Sequence, residues 1–338
     1  MTTVPIEALR EALVRRLVEA GSSRETAEVQ ADMLVEAELR GLPSHGALRL
    51  NTLRQRIANG VCAPNALGKH SWRGTAWLDV DGESGFGPVV AQHALTAAAR
   101  RTQETGVCLV TVRTSNHLGM LAWYAEHWAR QGYVLIGLTT SEALVHPYGG
   151  TSRLLGTNPL TIGVPTADEE PLVVDLATSI VAMGKVHDYA GRGQALEPGW
   201  ARDAQGRATT DAVAARSGAI APFGGAKGYA LGLGIEVLVT ALTGSAIGTS
   251  VRGTLDATET ASKGDVFILA PARGGALANL LADFLDEVRA SDPADPARPV
   301  LVPGDRSRAE RTRRIAEGVE VRDALWAEIS HQNRTEQA

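Results

Sequence analysis

Val80-Asp81-Gly82-Glu83-Ser84-Gly85-Phe86-Gly87-Pro88 is a glycine-rich turn between a strand-like run, Thr75 to Val80, and an Ala-rich helix-like run, Val89 to Gln103. In a doubly wound nucleotide-binding chain this is the place for G-x-G-x-x-G, because the glycines let the backbone approach a pyrophosphate at the helix N-terminus. Here the glycines fall at 82, 85 and 87, the wrong spacing, and no acidic residue closes a following strand at the expected distance. No other segment satisfies the pattern either, and that absence is itself evidence. A Walker loop is missing too, since Gly224-Gly225-Ala226-Lys227-Gly228 lacks the length and the Ser or Thr after Lys. That segment still puts a Lys on a Gly-rich loop before the apolar helix Tyr229 to Leu242, where an ammonium and backbone amides can hold a phosphate.

Outward from the turn, the N-terminal side reads as helical. Apolar residues recur at three- and four-residue spacing from Ile6 to Leu39, broken at Gly21-Ser22-Ser23, and a third helix spans Gly46 to Ala58 before the Asn59-Gly60 stop. On the C-terminal side, strand candidates at Gly106 to Thr111, Val134 to Thr139, Leu160 to Val164, Leu172 to Asp175 and Val266 to Leu269 alternate with turn-rich loops. A helix at Ala276 to Ala290, a linker at Asp292 to Pro299 and a charged helix after Pro303-Gly304-Asp305-Arg306 follow, with a frayed tail from Ser330. The expected organisation is an N-terminal helical segment, 1–72, packed with a C-terminal helical segment, 275–338, beside a central α/β region, 73–274.

The 338 residues are 44% hydrophobic, ample for a core, and carry a formal net charge of -5, which argues against a nucleic-acid or anionic-membrane partner. The basic run Arg306 to Arg314, interleaved with Glu310, reads as a solvated helix face. No apolar stretch reads as long enough to span a bilayer, and the N-terminus has no signal-peptide pattern, so a cytoplasmic, membrane-free protein is expected. Cys62 and Cys108 are expected to be free thiols without metal-ligand spacing.

The chemistry concentrates in two short motifs. Ser44-His45-Gly46 carries Arg49 one helical turn on, and Ser115-Asn116-His117-Leu118-Gly119 precedes a helix-like run, Leu118 to Arg130. An imidazole near neutral pKa can take a hydroxyl proton, and a guanidinium can grip a carboxylate with two parallel hydrogen bonds. Ser115 and Asn116 are good N-cap types, which places His117 at a helix N-terminus, neutral and able to accept a proton. His70, His93, His127, His146, His187 and His331 lack such company and read as structural or surface residues.

These two motifs, with Gly41-Leu42-Pro43 before the first, and Leu155-Gly156-Thr157-Asn158-Pro159, Val174-Asp175-Leu176-Ala177-Thr178-Ser179, Gly184-Lys185, Pro198-Gly199-Trp200, Gly224 to Tyr229 and Pro303-Gly304, resemble the malate/L-lactate dehydrogenase family that lacks a Rossmann fold. The order is the family's over nearly the whole chain. The resemblance implies an α/β fold with a largely antiparallel central sheet, N- and C-terminal helical segments, and a homodimeric oxidoreductase using NAD or NADP. It implies that Ser44, His45, Arg49 and His117 line the substrate pocket, and that Ser141, Asp175, Leu176, Ala177, Thr178, Lys227, Gly304, Asp305 and Arg306 contact the cofactor. In the family either motif histidine has been given the proton. Two positions depart: Leu53 stands where the family often has Tyr, and Ala226 where it often has His. The expected reaction is metal-free hydride exchange between a nicotinamide and a small 2-hydroxy or 2-oxo acid, the carboxylate held by Arg49. Reduction of a cyclic 2-imino acid is the alternative within the fold, and a catalytically silent cofactor-binding protein the alternative of another class.

Overall fold

The computed structural model describes residues 1–330, so His331 and the rest of the tail lie outside the described residues. In chain order β1 (Thr2–Val4) precedes the helices α1 (Ile6–Glu19), α2 (Arg24–Leu39) and α3 (Leu50–Ala58). Next come β2 (Lys69–Trp72), β3 (Trp77–Asp81), α4 (Gly87–Thr105), β4 (Cys108–Arg113), α5 (Leu121–Arg130), β5 (Tyr133–Thr139), β6 (Leu160–Val164) and β7 (Leu172–Leu176). A smaller unit holds α6 (Met183–Arg192), β8 (Ala201–Arg202), β9 (Ala208–Thr209), α7 (Ala212–Ala215) and β10 (Ala219–Ile220). The chain ends with α8 (Ala226–Thr243), β11 (Gly264–Pro271), α9 (Ala276–Ala290), α10 (Asp305–Glu317), β12 (Val319–Val321) and α11 (Asp323–Ser330).

The central sheet has seven strands in the order β2-β3-β4-β11-β5-β6-β7. Only β3 and β4 run parallel, and α4 supplies the crossover that such a pair needs. Every other pair in the sheet is antiparallel. The late strand β11 inserts at the centre because it can bury both faces: Phe267 and Leu269 join the main core, while Val266 packs with α8. The helices α4 and α5 cover the first face with Ala91, Leu95, Ala98, Tyr124 and Trp128.

The termini meet. β1 pairs antiparallel with β12, and α10 docks on α2 through Arg311 to Glu36 at 2.8 Å and Arg314 to the Glu38 carbonyl at 2.8 Å. The basic run expected as a solvated face is thus partly a docking face, its charges spent on α2 and on the Pro171 carbonyl, which Arg308 reaches at 3.1 Å. A second correction concerns α8, which is long and apolar enough to cross a bilayer by length and composition, with a mean hydropathy of 1.2. It lies against β11 through Ile235 and Val239, and its buried Glu236 accepts from Asn158 and from the amides of Gly156 and Gly248. A third correction concerns the helix expected from Gly46: the α-helix begins only at Leu50, preceded by two short 3-10 turns.

Candidate active site

The Ser44-His45-Gly46 segment is a 3-10 turn over Pro43–His45, held from below by α2. Glu38 accepts the Ala47 amide at 2.8 Å, and a Cβ on Gly46 would stand 2.3 Å from Glu38 Oε1, so only glycine lets the turn lie on that carboxyl. Burial pushes the Glu38 carboxyl up, against the Ala47 amide and Arg314. The turn presents Ser44 and His45 to one side and feeds Arg49 into the start of α3.

His117 arrives from the end of β4 by a route the sequence did not predict. The helix α5 starts at Leu121, not Leu118, and Ser115 and Asn116 do not cap it. Their side chains are spent on tertiary partners: Ser115 Oγ donates to Asp265 at 3.0 Å, and Asn116 accepts from Arg56 at 2.7 Å while donating to the Ser84 and Gly85 carbonyls. His117 is therefore in a loop. Its pKa is still driven well below the ordinary range, by burial first and then by Arg49, His45, Lys263 and Arg56.

Gly119 decides the tautomer. Its φ is +80°, a Cβ there would meet Met33 Sδ at 2.1 Å, and its amide donates to His117 Nδ1 at 2.9 Å. With Nδ1 accepting, the neutral ring carries its proton on Nε2. Arg49 Nη2 lies 3.5 Å from that Nε2, too long to count against the 2.9 Å bond, so two donors converge without an acceptor between them. Arg49 is fixed by Nε to the Ser44 carbonyl at 2.9 Å and approaches the Thr254 carbonyl at 3.4 Å.

His45 completes the group, its ring centroid 5.5 Å from that of His117. Its Nδ1 lies 3.1 Å from Ser44 Oγ, a hydroxyl that can donate or accept, so His45 keeps both a neutral and a protonated form with this bond intact. Burial, helped by Arg49, lowers its pKa to about 4. Both rings are neutral at pH 7 in the free protein.

These four residues line a cleft of about 570 Å³ together with Ser141, Thr157, Asp175, Leu176 and Ala177. Ser141 Oγ accepts the Thr157 amide at 3.0 Å. Asp175 faces the open cleft from β7, yet its carboxyl, ringed by protein, rises to about 6 by desolvation, opposed by the Ala122 amide at 2.7 Å and by Arg40. Thr178 is buried below the cleft and donates to the Thr157 carbonyl at 2.9 Å. The remaining expected residues are not gathered there. Lys227 is exposed at the start of α8, and Gly304, Asp305 and Arg306 begin α10. Asp305 is saturated by Arg289, Arg308 and the Val302 amide, which hold its carboxyl down at about 2 against burial.

Sequence reasoning missed several residues of the site. Lys263 and Asp265 form a buried ion pair at 2.6 Å beside Ser115, and their signal was two charges two apart at the start of an apolar strand, hence on one face of it. Glu142 binds the Thr254 and Leu255 amides at 2.8 and 2.9 Å and so fixes the loop that closes one side of the cleft. His187, set aside as structural or surface, lines the cleft from α6. Among the described residues no group of three or more His, Cys, Asp or Glu could hold a metal ion.

A family model described as malate/L-lactate dehydrogenase matches residues 4–330. The L-sulfolactate dehydrogenase of Methanothermobacter thermautotrophicus is 34% identical over 309 residues, 90% of this chain and 89% of that protein. The ureidoglycolate dehydrogenase (NAD(+)) of Escherichia coli is 30% identical over 325 residues, 95% and 93% of the two chains. Among solved structures, a dehydrogenase from Sinorhizobium meliloti superposes with a TM-score of 0.93 at 49% identity, covering 97% of both chains. The delta1-piperideine-2-carboxylate reductase of Pseudomonas syringae superposes at 0.87 with 30% identity, covering 98% and 99%.

Proposed function

The chain belongs to the malate/L-lactate dehydrogenase family, and from that premise we propose that it is an NAD(P)-dependent oxidoreductase interconverting a small 2-hydroxy acid and its 2-oxo acid. The observation that carries this reading is the convergence of Arg49 Nη2 and His117 Nε2 beside His45. Two nitrogens 3.5 Å apart, one on a fixed cation and one on a neutral ring, suit a carboxylate and the adjacent C2 oxygen. Arg49 binds the carboxylate, His117 donates its Nε2 proton as a hydrogen bond to the C2 oxygen without giving it up, and His45 carries the proton that moves. In oxidation the neutral His45 takes the hydroxyl proton; in reduction its imidazolium returns it, with Ser44 holding Nδ1 in both.

The cleft suits a dinucleotide. β7 ends the sheet, so its outer edge offers free backbone groups, and Asp175 and Leu176 are exposed along it. A nicotinamide bound there supplies or takes up the hydride at C2. Ser141, Asp175, Leu176 and Ala177 would line its site and Thr178 would hold the floor. Lys227 and Arg306, exposed cations at the starts of α8 and α10, suit its phosphates. Gly304 and Asp305 shape the start of α10.

The same proposal includes a cytoplasmic homodimer with no nucleic-acid or membrane partner. Leu233, Val237 and Leu238 on α8 and Leu280 and Phe284 on α9 are exposed large apolar side chains, which a second copy would cover. Cys62 and Cys108 are buried free thiols, which suits a reducing compartment. Reduction of a cyclic 2-imino acid is a second reading, favoured by the likeness to the Pseudomonas syringae reductase and by the apolar Leu53 at the pocket.

NAD(P)H fluorescence titration followed by a screen of 2-oxo acids, with cyclic imines in parallel, tests the reading. Saturable enhancement and consumption of NAD(P)H with a 2-oxo acid are expected. No binding of either nucleotide would overturn it, and turnover of imines alone would transfer the conclusion to the second reading.

A further inference from the structure

At the end of the sheet where β4 and β5 finish, β11 begins between them, with Asp265 opposite Val112 and Thr139. The Asp265 carboxylate gathers three segments there. Its Oδ1 accepts from Thr139 Oγ1 at 2.5 Å, its Oδ2 from Ser115 Oγ at 3.0 Å, and both oxygens from Lys263 Nζ at 2.6 Å. Lys263 Nζ also donates to Ser115 Oγ at 3.2 Å, and the Gly264 amide to Thr140 Oγ1 at 3.1 Å. None of Ser115, Thr139, Lys263 and Asp265 is more than 7% exposed, so little water competes for these bonds.

Two of the tied segments lead straight into the site. His117 stands two residues after Ser115 and Ser141 two residues after Thr139, and both His117 and Ser141 line the cleft. One carboxylate therefore fixes the histidine loop against the strand that delivers Ser141. A sealed ion pair is a poor source of stability, because apolar side chains of similar volume serve as well or better; what it supplies is a fixed arrangement of the groups bonded to it. The reaction is sensitive to that arrangement: a misplacement of about 1 Å between reacting groups can cost about a hundredfold in rate.

Resting on the hydroxy-acid reading above, we propose that Asp265, held by Lys263, is a positioning residue of the reaction, which acts through Ser115 to set the His117 donor against the Ser141 side of the cleft. Asp265 does not itself line the cleft, so it reaches the chemistry only through the groups it holds.

Ser115→Ala cuts the arm to His117 and leaves the ion pair in place. Its kcat for reduction of a 2-oxo acid is expected to fall about five- to tenfold, with the NAD(P)H dissociation constant from fluorescence titration within about twofold of wild type. Added to His117→Gln, the same change should cost less than about twofold, because a residue acting through His117 is silent once that ring is gone. Lys263→Met with Asp265→Leu separates position from stability: it should unfold close to the wild-type denaturant concentration yet lose about as much kcat as Ser115→Ala. Wild-type kcat in that stable double variant, or losses of Ser115→Ala and His117→Gln that simply multiply, would overturn the proposal. Imidazole nitrogen NMR of the free protein reads the same positioning without substrate or cofactor. His117 should hold the single Nε2–H tautomer in the wild type and show a mixture of both tautomers in Ser115→Ala. If the wild type binds NAD(P)H but reduces no 2-oxo acid, the hydroxy-acid reading fails and this spectrum decides the positioning, which an unchanged tautomer in Ser115→Ala would overturn.

Discussion

At His117 one backbone amide decides which ring nitrogen faces the substrate. The Gly119 N–H occupies Nδ1, and Gly119 is free to take φ +80° over Met33 only because it lacks a side chain. The two histidines and the Arg were legible in the sequence as a constellation. Their division of labour was not, because it depends on a hydrogen bond inside the Ser-Asn-His-Leu-Gly motif and on a hydroxyl beside His45. The expected cause of a neutral His117, a helix N-terminus, is replaced by burial and four nearby cations or rings. Arg49 was assigned to a carboxylate from its chemistry, and its Nε fixed on the Ser44 carbonyl, with Nη2 held only by a 3.5 Å contact to His117, supports that assignment. Arg49→Lys removes the planar fork, so KM for a 2-oxo acid should rise about ten- to a hundredfold, and by much less for the corresponding amide or ester. Equal losses for charged and neutral compounds in steady-state kinetics would make Arg49 a structural residue.

The loop from Thr114 to Met120 is the element on which the site turns, and it was read as a helix start. Ser and Asn are strong caps only when their side chains are free to reach the amides two or three residues on. Here Ser115 is taken by Asp265 and Lys263, and Asn116 by Arg56 and two carbonyls, so the chain stays a loop until Leu121. Propensity could not reveal partners that lie about 150 residues away in β11 and 60 residues back in α3. By contrast, Leu160–Val164 and Ala276–Ala290 were read with their observed bounds, because periodicity and flanking turns fix them locally. The Lys263–Asp265 pair, nearly sealed from solvent, anchors the loop. Lys263→Met leaves the Asp265 carboxylate buried without its cation and should cost about 3–5 kcal/mol in denaturant unfolding, most of which Lys263→Met with Asp265→Leu should restore. A single-variant cost below about 1 kcal/mol would show that the pair does not hold the loop.

For the whole molecule, Gly82–Gly87 carries no dinucleotide fingerprint, but the non-Rossmann fold and its antiparallel sheet came from the family resemblance, since strand order depends on β11 returning from far along the chain. The strand β2, four residues of mixed polarity, and the small strands β8 to β10 gave no periodic signal. On the dimer proposed above, a second copy covers the exposed apolar side chains of α8 and α9. Sedimentation velocity should find twice the 35.6 kDa chain mass, and Val237→Arg with Phe284→Arg should return it to one; a wild-type monomer would contradict the dimer. In the proposed reaction His45 moves the proton while His117 stays a neutral donor. With its pKa near 4, His45 is protonated in a fraction that grows about tenfold per pH unit as pH falls through the neutral range, so kcat/KM for reduction should rise toward acid. The direct test is that pH profile in the wild type, His45→Gln and His117→Gln. His45→Gln should show a flat profile and a loss of about a hundred- to ten-thousandfold, and His117→Gln should retain the slope at about tenfold lower rate. A slope that disappears in His117→Gln and survives in His45→Gln would contradict it.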